Sequence, residues 1–134
     1  MSNEGPNVLR RVADLLSKDE DIELALAFGS VAAGQPRAGS DFDVAILTRG
    51  AIDARRKRDI IAAVAAIVGR PIDLVDLRTA GVHVAGVALR TGKRLVCREP
   101  RVWAELLSRN LVDAADFLPY RERMLGERRK TWIR

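Results

Sequence analysis

The sequence predicts an α/β (α+β) fold, a small mixed sheet with helices packed on it and a helical C-terminal tail. Three observations predict it. Short, nearly all-apolar runs rich in Val, Ile and Leu alternate with longer segments of helical periodicity, the pattern of a sheet covered by helices. Gly and Pro punctuate the boundaries between them. The 134 residues are 48% apolar, enough for a packed core without a metal or disulfide staple, and 4% aromatic, so that core is built from aliphatic side chains. One domain over 1–134 is expected, with its core at about 20–98 and C-terminal helices at about 100–132.

Pro6 to Lys18 reads as a first helix. Val8, Leu9, Val12, Leu15 and Leu16 recur at helical spacing, and proline suits a first turn. The charged run SKDED ends the pattern. Ile22 to Phe28 is an apolar run closed by Gly29, as in a strand covered on both faces. A Gly-, Ser- and Pro-bearing loop over residues 29–40 leads to a second strand, Phe42 to Leu47. These two strands could pair antiparallel or sit in a mixed sheet; periodicity does not choose.

Ile52 to Val68 is the clearest helix, with Ile60, Ile61, Val64 and Ile67 on one stripe and Arg55, Arg56, Lys57 and Arg58 in its first turns. Gly69 is a natural stop and Pro71 blocks continuation. Ile72 to Leu77 follows as a third strand, Gly81 to Arg90 as a helix and Lys93 to Cys97 as a last strand. Pro100 to Phe117 reads as a helix broken by Pro119, and a basic final helix runs from about Tyr120.

A lone cysteine, Cys97, rules out an internal disulfide and fits a small buried hydrophobe. The opening MSNEGPNVLR lacks the apolar stretch of a secretory signal, and no run approaches the ~20 apolar residues of a membrane span. A cytoplasmic protein with no membrane partner is expected. The formal charge of +5 favours an anionic ligand or partner without saying which.

The chemistry lies where consecutive strands begin and end. Gly29 and Ser30 close the first strand, Asp41, Phe42 and Asp43 enter the second, and Asp73 sits in the third. Residues two apart in a strand share a face, so Asp41 and Asp43 project together. At ~6–7 Å apart they repel by roughly 2.5 kcal/mol at an effective dielectric near 20. With Asp73 added, the cluster calls for a cation. Oxygen-only ligands with room for phosphate suit Mg2+, and two ions would serve an in-line phosphoryl displacement. Gly29 leaves space for a triphosphate. Ser30 offers a hydroxyl and a backbone N–H at the start of a short helix expected over Val31 to Ala33, and Gly34 and Gly39 let the loop return.

GSVAAGQPRAGSDFD resembles the GS-x10-D-x-D signature of the nucleotidyltransferase superfamily that includes DNA polymerase beta and the minimal nucleotidyltransferases. IDLVDLRTAG, TGKRLV and DFLPYRER extend the likeness to the MntA-type antitoxins, over most of the chain from Ile22 to about Arg123. That resemblance implies a nucleotidyltransferase-like fold and a hetero-oligomer with a HEPN-domain (HepT-like) ribonuclease toxin. It implies silencing of the toxin by transfer of AMP from ATP to a toxin tyrosine. It also implies that Asp41 and Asp43 ligate both metals, that Asp73 completes the catalytic one, and that Gly29 and Ser30 bind the triphosphate. The alternatives are a small-molecule nucleotidyltransferase of aminoglycoside type, or an antitoxin that neutralises by binding alone.

Other residues carry plainer expectations. Asp76, three after Asp73, faces away in a straight strand and fits an orienting role at the turn into Arg78 and Thr79. His83, the sole histidine, excludes mechanisms needing two imidazoles and reads as a half-buried helix residue. Ser40 stands beside Asp41, where its hydroxyl serves either the phosphates or a turn hydrogen bond. The Arg55–Arg58 cluster and the basic tail (Arg121, Arg123, Arg128, Arg129, Lys130) form a solvated helix face or meet an acidic partner surface or RNA. No aromatic residues interleave with them, so direct nucleic-acid readout is not expected.

Overall fold

The sheet is built outward from Ile22–Phe28 (β1), six of whose seven residues are buried. The computed structural model describes residues 6–35 and 39–133, with side chains described for 7–35 and 39–116. Phe42–Thr48 (β2) runs antiparallel along one edge of β1, with Phe28 opposite Asp43. Lys93–Cys97 (β4) runs antiparallel along the other. Ile72–Asp76 (β3) lies parallel to β2, giving the order β3-β2-β1-β4. The sheet is therefore mixed, and its one parallel pair is joined by a crossover helix, as parallel strands require.

Side chains alternate between the two faces, so each strand feeds two cores. On one face Phe42, Val44 and Ile46 meet Val8, Val12 and Leu16 of α1 (Pro6–Ser17) and Ile60, Val64 and Val68 of α3 (Ala54–Val68). On the other, Leu24, Leu26 and Ala45 meet Ala85, Ala88 and Leu89 of α4 (Val82–Thr91), with Trp103, Leu106 and Leu107 of α5 (Pro100–Ile133) behind them. Full burial of each Val, Leu, Ile or Phe contributes ~1.5–3 kcal/mol. Among the described residues, no helix is long and apolar enough to cross a membrane.

Local chemistry sets the boundaries. α3 starts at Ala54 because the Asp53 carboxylate accepts from the Arg56 N–H at 2.8 Å. It stops at Gly69, which takes the left-handed conformation (φ 72°) that a helix C-cap favours. Arg56 is more than part of a solvated face. Its guanidinium pairs with Asp19 at 2.6 Å and Asp21 at 3.0 Å, tying the SKDED turn to α3. Arg98 closes the same turn by donating to the carbonyls of Ile22 (2.8 Å), Ser17 (2.8 Å) and Asp19 (3.0 Å).

Two expectations need correcting. Pro119 does not divide the C-terminal region; α5 is one helix from Pro100 to Ile133. Proline removes a single i→i−4 hydrogen bond and its cost is local, so flanking turns with good helix formers can continue through it. His83 is exposed on α4, not half-buried, because the buried stripe of that helix is Ala85, Gly86, Ala88 and Leu89. The side chains of the basic tail lie outside the described residues. Asn110 locks α5 to α4: it is buried, donates Nδ2 to the Val82 carbonyl at 2.9 Å, and leaves no space for a Cβ at Gly86.

Replacing Asp53 with alanine is expected to lower the unfolding free energy by about 1 kcal/mol, seen as a lower urea midpoint at unchanged slope. Asp53→Asn should stay within a few tenths of a kcal/mol of the original, since an Asn side chain caps equally well.

Candidate active site

Strand register brings the acidic side chains to one end of the sheet. β1 delivers Phe28 and then Gly29; opposite Phe28 stands Asp43, and opposite Asp43, across the parallel pair, stands Asp73. Both carboxylates share the face of Ala45 and Val75, yet Asp43 is only half-buried and Asp73 is exposed. Asp41 precedes the first paired residue of β2 and is exposed.

The carboxyl of Asp43 is pushed up to about 6 from the usual 3.8. Burial is the largest cause, followed by the charge of Asp73, a hydrogen bond that the protonated Asp43 carboxyl donates to the Asp73 side chain, and the charge of Asp41. Asp43 and Asp73 are thus in direct contact, and Asp41 adds charge from farther off. Among the described residues no three acidic, histidine or cysteine side chains stand close enough together to hold a metal ion. The expected three-way convergence is a contacting pair with a third carboxylate at the entrance, because Asp41 sits on the loop side of the strand start. The donor set remains oxygen only, with two carboxylates in contact. Mg2+ typically takes one or two carboxylates and fills the rest of its octahedron with water and phosphate oxygens, so the residues fit that ion. A cation between Asp43 and Asp73 also removes the repulsion that raises the Asp43 pKa.

Gly29 is needed here for two reasons. Its φ of 81° is one that L side chains rarely adopt, and a Cβ would overlap the Asp43 carboxylate. The short helix expected over Val31 to Ala33 begins earlier, as α2 (Gly29–Ala32), with the Ala33 N–H bonded to the Gly29 carbonyl at 3.1 Å. Ser30 therefore lies in its first turn, half-buried, and the Gln35 N–H bonds to its carbonyl at 2.9 Å. Val31 and Ala32 pin the turn into the core. At the far end of the loop the Ser40 carbonyl accepts from Arg70 Nη1 at 3.3 Å. Arg70 is a residue the sequence reading passes over; the signal for it is the adjacent Pro71, whose nitrogen carries no hydrogen.

Asp76 takes no part in this cluster. Its carboxylate accepts from the Arg78 N–H at 3.0 Å and its carbonyl from the Thr79 and Ala80 N–H groups, the turn role its spacing suggests. His83 stands in the first turn of α4 and makes no hydrogen bond or ion pair among the described residues.

A four-stranded mixed sheet that carries a Gly-Ser turn at one strand end and carboxylates on the next two strands is the architecture of a nucleotidyl-transferring domain. The sequence profile of the polymerase beta nucleotidyltransferase family matches residues 10–101. The chain belongs to that family. It is 30% identical over 74 residues to the protein adenylyltransferase MntA of Shewanella oneidensis, a match spanning 55% of this chain and 53% of that protein. The chain thus spans about half the length of the curated relative it matches. A toxin–antitoxin crystal structure with AMP-PNP superposes with a TM-score of 0.77 at 20% identity, covering 91% of this chain and 98% of the other. A complex of the tri-AMPylated HEPN toxin of Shewanella oneidensis with its MNT antitoxin superposes with a TM-score of 0.71 at 18% identity, covering 89% and 97%. At those identities the structural likeness establishes a common fold.

The raised Asp43 pKa has a testable sign. The folded chain binds the Asp43 proton more tightly than the unfolded chain, so without metal its stability falls as pH rises from about 4 to about 6 and stays lowered above that. Thermal melts in a chelating buffer should show this fall, and Asp43→Asn should flatten it. Gly29→Ala, by contrast, should lower the melting temperature at every pH, because the added methyl meets backbone strain and the Asp43 carboxylate together.

Proposed function

We propose that this chain is a Mg-dependent adenylyltransferase that moves AMP from ATP to a tyrosine hydroxyl of a HEPN-type ribonuclease toxin and thereby acts as its antitoxin. The observation that carries the reading is the Asp43–Asp73 contact held against Gly29 at the mouth of an uncovered sheet end. Family membership supports nucleotidyl transfer, and the MntA relative supports a protein acceptor.

In this reading the tyrosine hydroxyl loses its proton to solvent as its oxygen attacks the α-phosphorus of ATP, the bond from that phosphorus to the α–β bridging oxygen breaks, and pyrophosphate leaves with that bond's electron pair. Asp43 and Asp73 hold the metal, with Asp41 completing the set from the strand entrance. When bound, Mg2+ supplies charge neutralisation along the triphosphate and lowers the pKa of the attacking hydroxyl. Gly29 gives the phosphates a path to the carboxylates that any side chain would obstruct. Ser30 and Ser40, at the two ends of the loop, place hydroxyls and backbone groups where the phosphate tail runs. Crowding of Asp43 by Asp73 makes the pair ready to exchange a shared proton for a cation.

Purified chain, labelled ATP and a purified HEPN-type toxin test the proposal. Label should pass to the toxin in the presence of Mg2+, and a toxin lacking the acceptor tyrosine should take up none. Asp41→Ala with Asp43→Ala should reduce transfer by at least ~10³-fold and abolish neutralisation of the toxin. Neutralisation that survives this double change would replace catalysis with simple binding. Label on a small molecule in place of protein would move the acceptor to another class.

A further inference from the structure

The loop that ends at Asp41 is held by a side chain doing the work of a missing backbone bond. In a parallel pair a residue donates to the carbonyl before its partner and accepts from the N–H after it. Phe42 pairs with Ile72, and its N–H donates to the Pro71 carbonyl at 2.8 Å. One step toward the loop, the same ladder calls for the N–H of residue 71 to donate to the Ser40 carbonyl. Residue 71 is proline and has no such hydrogen. The ladder is therefore interrupted one residue before Asp41, at a carbonyl whose regular ladder donor is absent.

The Arg70 guanidinium fills that place. Arg70 is half-buried, directly precedes Pro71, and its Nη1 donates to the Ser40 carbonyl at 3.3 Å. We propose that Arg70 is a positioning residue for the metal-binding carboxylates: by replacing the ladder bond that Pro71 removes, it fixes the Ser40–Asp41 backbone against the strand that carries Asp73. The inference rests on the adenylyltransferase reading only for its effect on catalysis; the clamp itself is a property of the fold. A cationic donor suits this position better than an amide bond alone, since a charge-assisted bond is stronger than a neutral one. It also leaves the clamp where a single substitution can release it.

The test uses the whole 134-residue chain and three variants: Arg70→Ala, Pro71→Ala, and the two together. Pro71→Ala restores the absent N–H, so the double variant regains a ladder donor to Ser40 without the guanidinium. Two readouts are needed, transfer of labelled AMP to the toxin and amide hydrogen exchange at Asp41 and Phe42. Arg70→Ala should lower transfer by roughly 10- to 100-fold, the scale of a misplaced reacting group, with a raised Mg2+ requirement. It should also speed exchange at both amides about tenfold while the melting temperature moves by no more than a few degrees. Pro71→Ala alone should stay within about twofold of the original chain. In the double variant both readouts should return to within about threefold.

Unchanged exchange in Arg70→Ala would overturn the clamp. Transfer and exchange that both stay impaired in the double variant would show that Arg70 acts by charge, not by holding the backbone, and would also overturn it. Arg70→Gln, which keeps a neutral donor, should lie between the original and the alanine variant on both scales. Absence of transfer by the original chain would defeat the adenylyltransferase reading, and the exchange comparison would still judge the clamp.

Discussion

The contact between Asp43 and Asp73 is the constraint on which the rest of the site depends. Two carboxylates in contact oppose folding, and the protein holds them there through the parallel register of β2 and β3. That register is set in turn by the apolar alternation of β2, since a slip of one residue sends Phe42, Val44 and Ile46 to the wrong core. The same hydrophobic layer that stabilises the sheet therefore fixes the geometry of the acids. Part of the free energy of burying β2 offsets the electrostatic repulsion between the two carboxylates.

Much of this was legible in the sequence, for identifiable reasons. The bounds of β1 follow from a nearly all-apolar run of seven residues that ends at Gly29, and those of β4 from the short stretch Lys93–Cys97 between Gly92 and the charged Arg98 and Glu99. α3 ends where Gly69 predicts, because a left-handed C-cap is a local property. Its start lies two residues later than the apolar stripe from Ile52 predicts, because the cap at Asp53 decides the boundary. The direction of strand pairing was not legible, because alternation says which face a residue takes and nothing about its neighbour. Nor was the continuity of α5, where the cost of Pro119 was read as a stop.

For the candidate site, the motif drew attention to Gly29, Ser30, Asp41, Asp43 and Asp73, and the fold places them at one end of the sheet. What the sequence did not convey was their inequality. Asp43 is wedged between Gly29 and Asp73, whereas Asp41 is exposed at the strand entrance. That difference arises from where β2 begins to pair, a tertiary fact. The Arg70 bond to Ser40 was hidden because a side chain replacing a ladder bond leaves no periodic trace; only the neighbouring proline hints at it.

Among the described residues β3 is an outer strand of the sheet, with strand pairing on one side only. Open edges of this kind invite a strand from another molecule, and natural proteins discourage that with short length and charge. β3 has five residues and carries Asp73 at its second position and Asp76 at its end. The acid that stands opposite Asp43 thus also works as a guard against fibrous or strand-swapped association. A homologue without acids on this strand would need some other device to keep its edge from pairing.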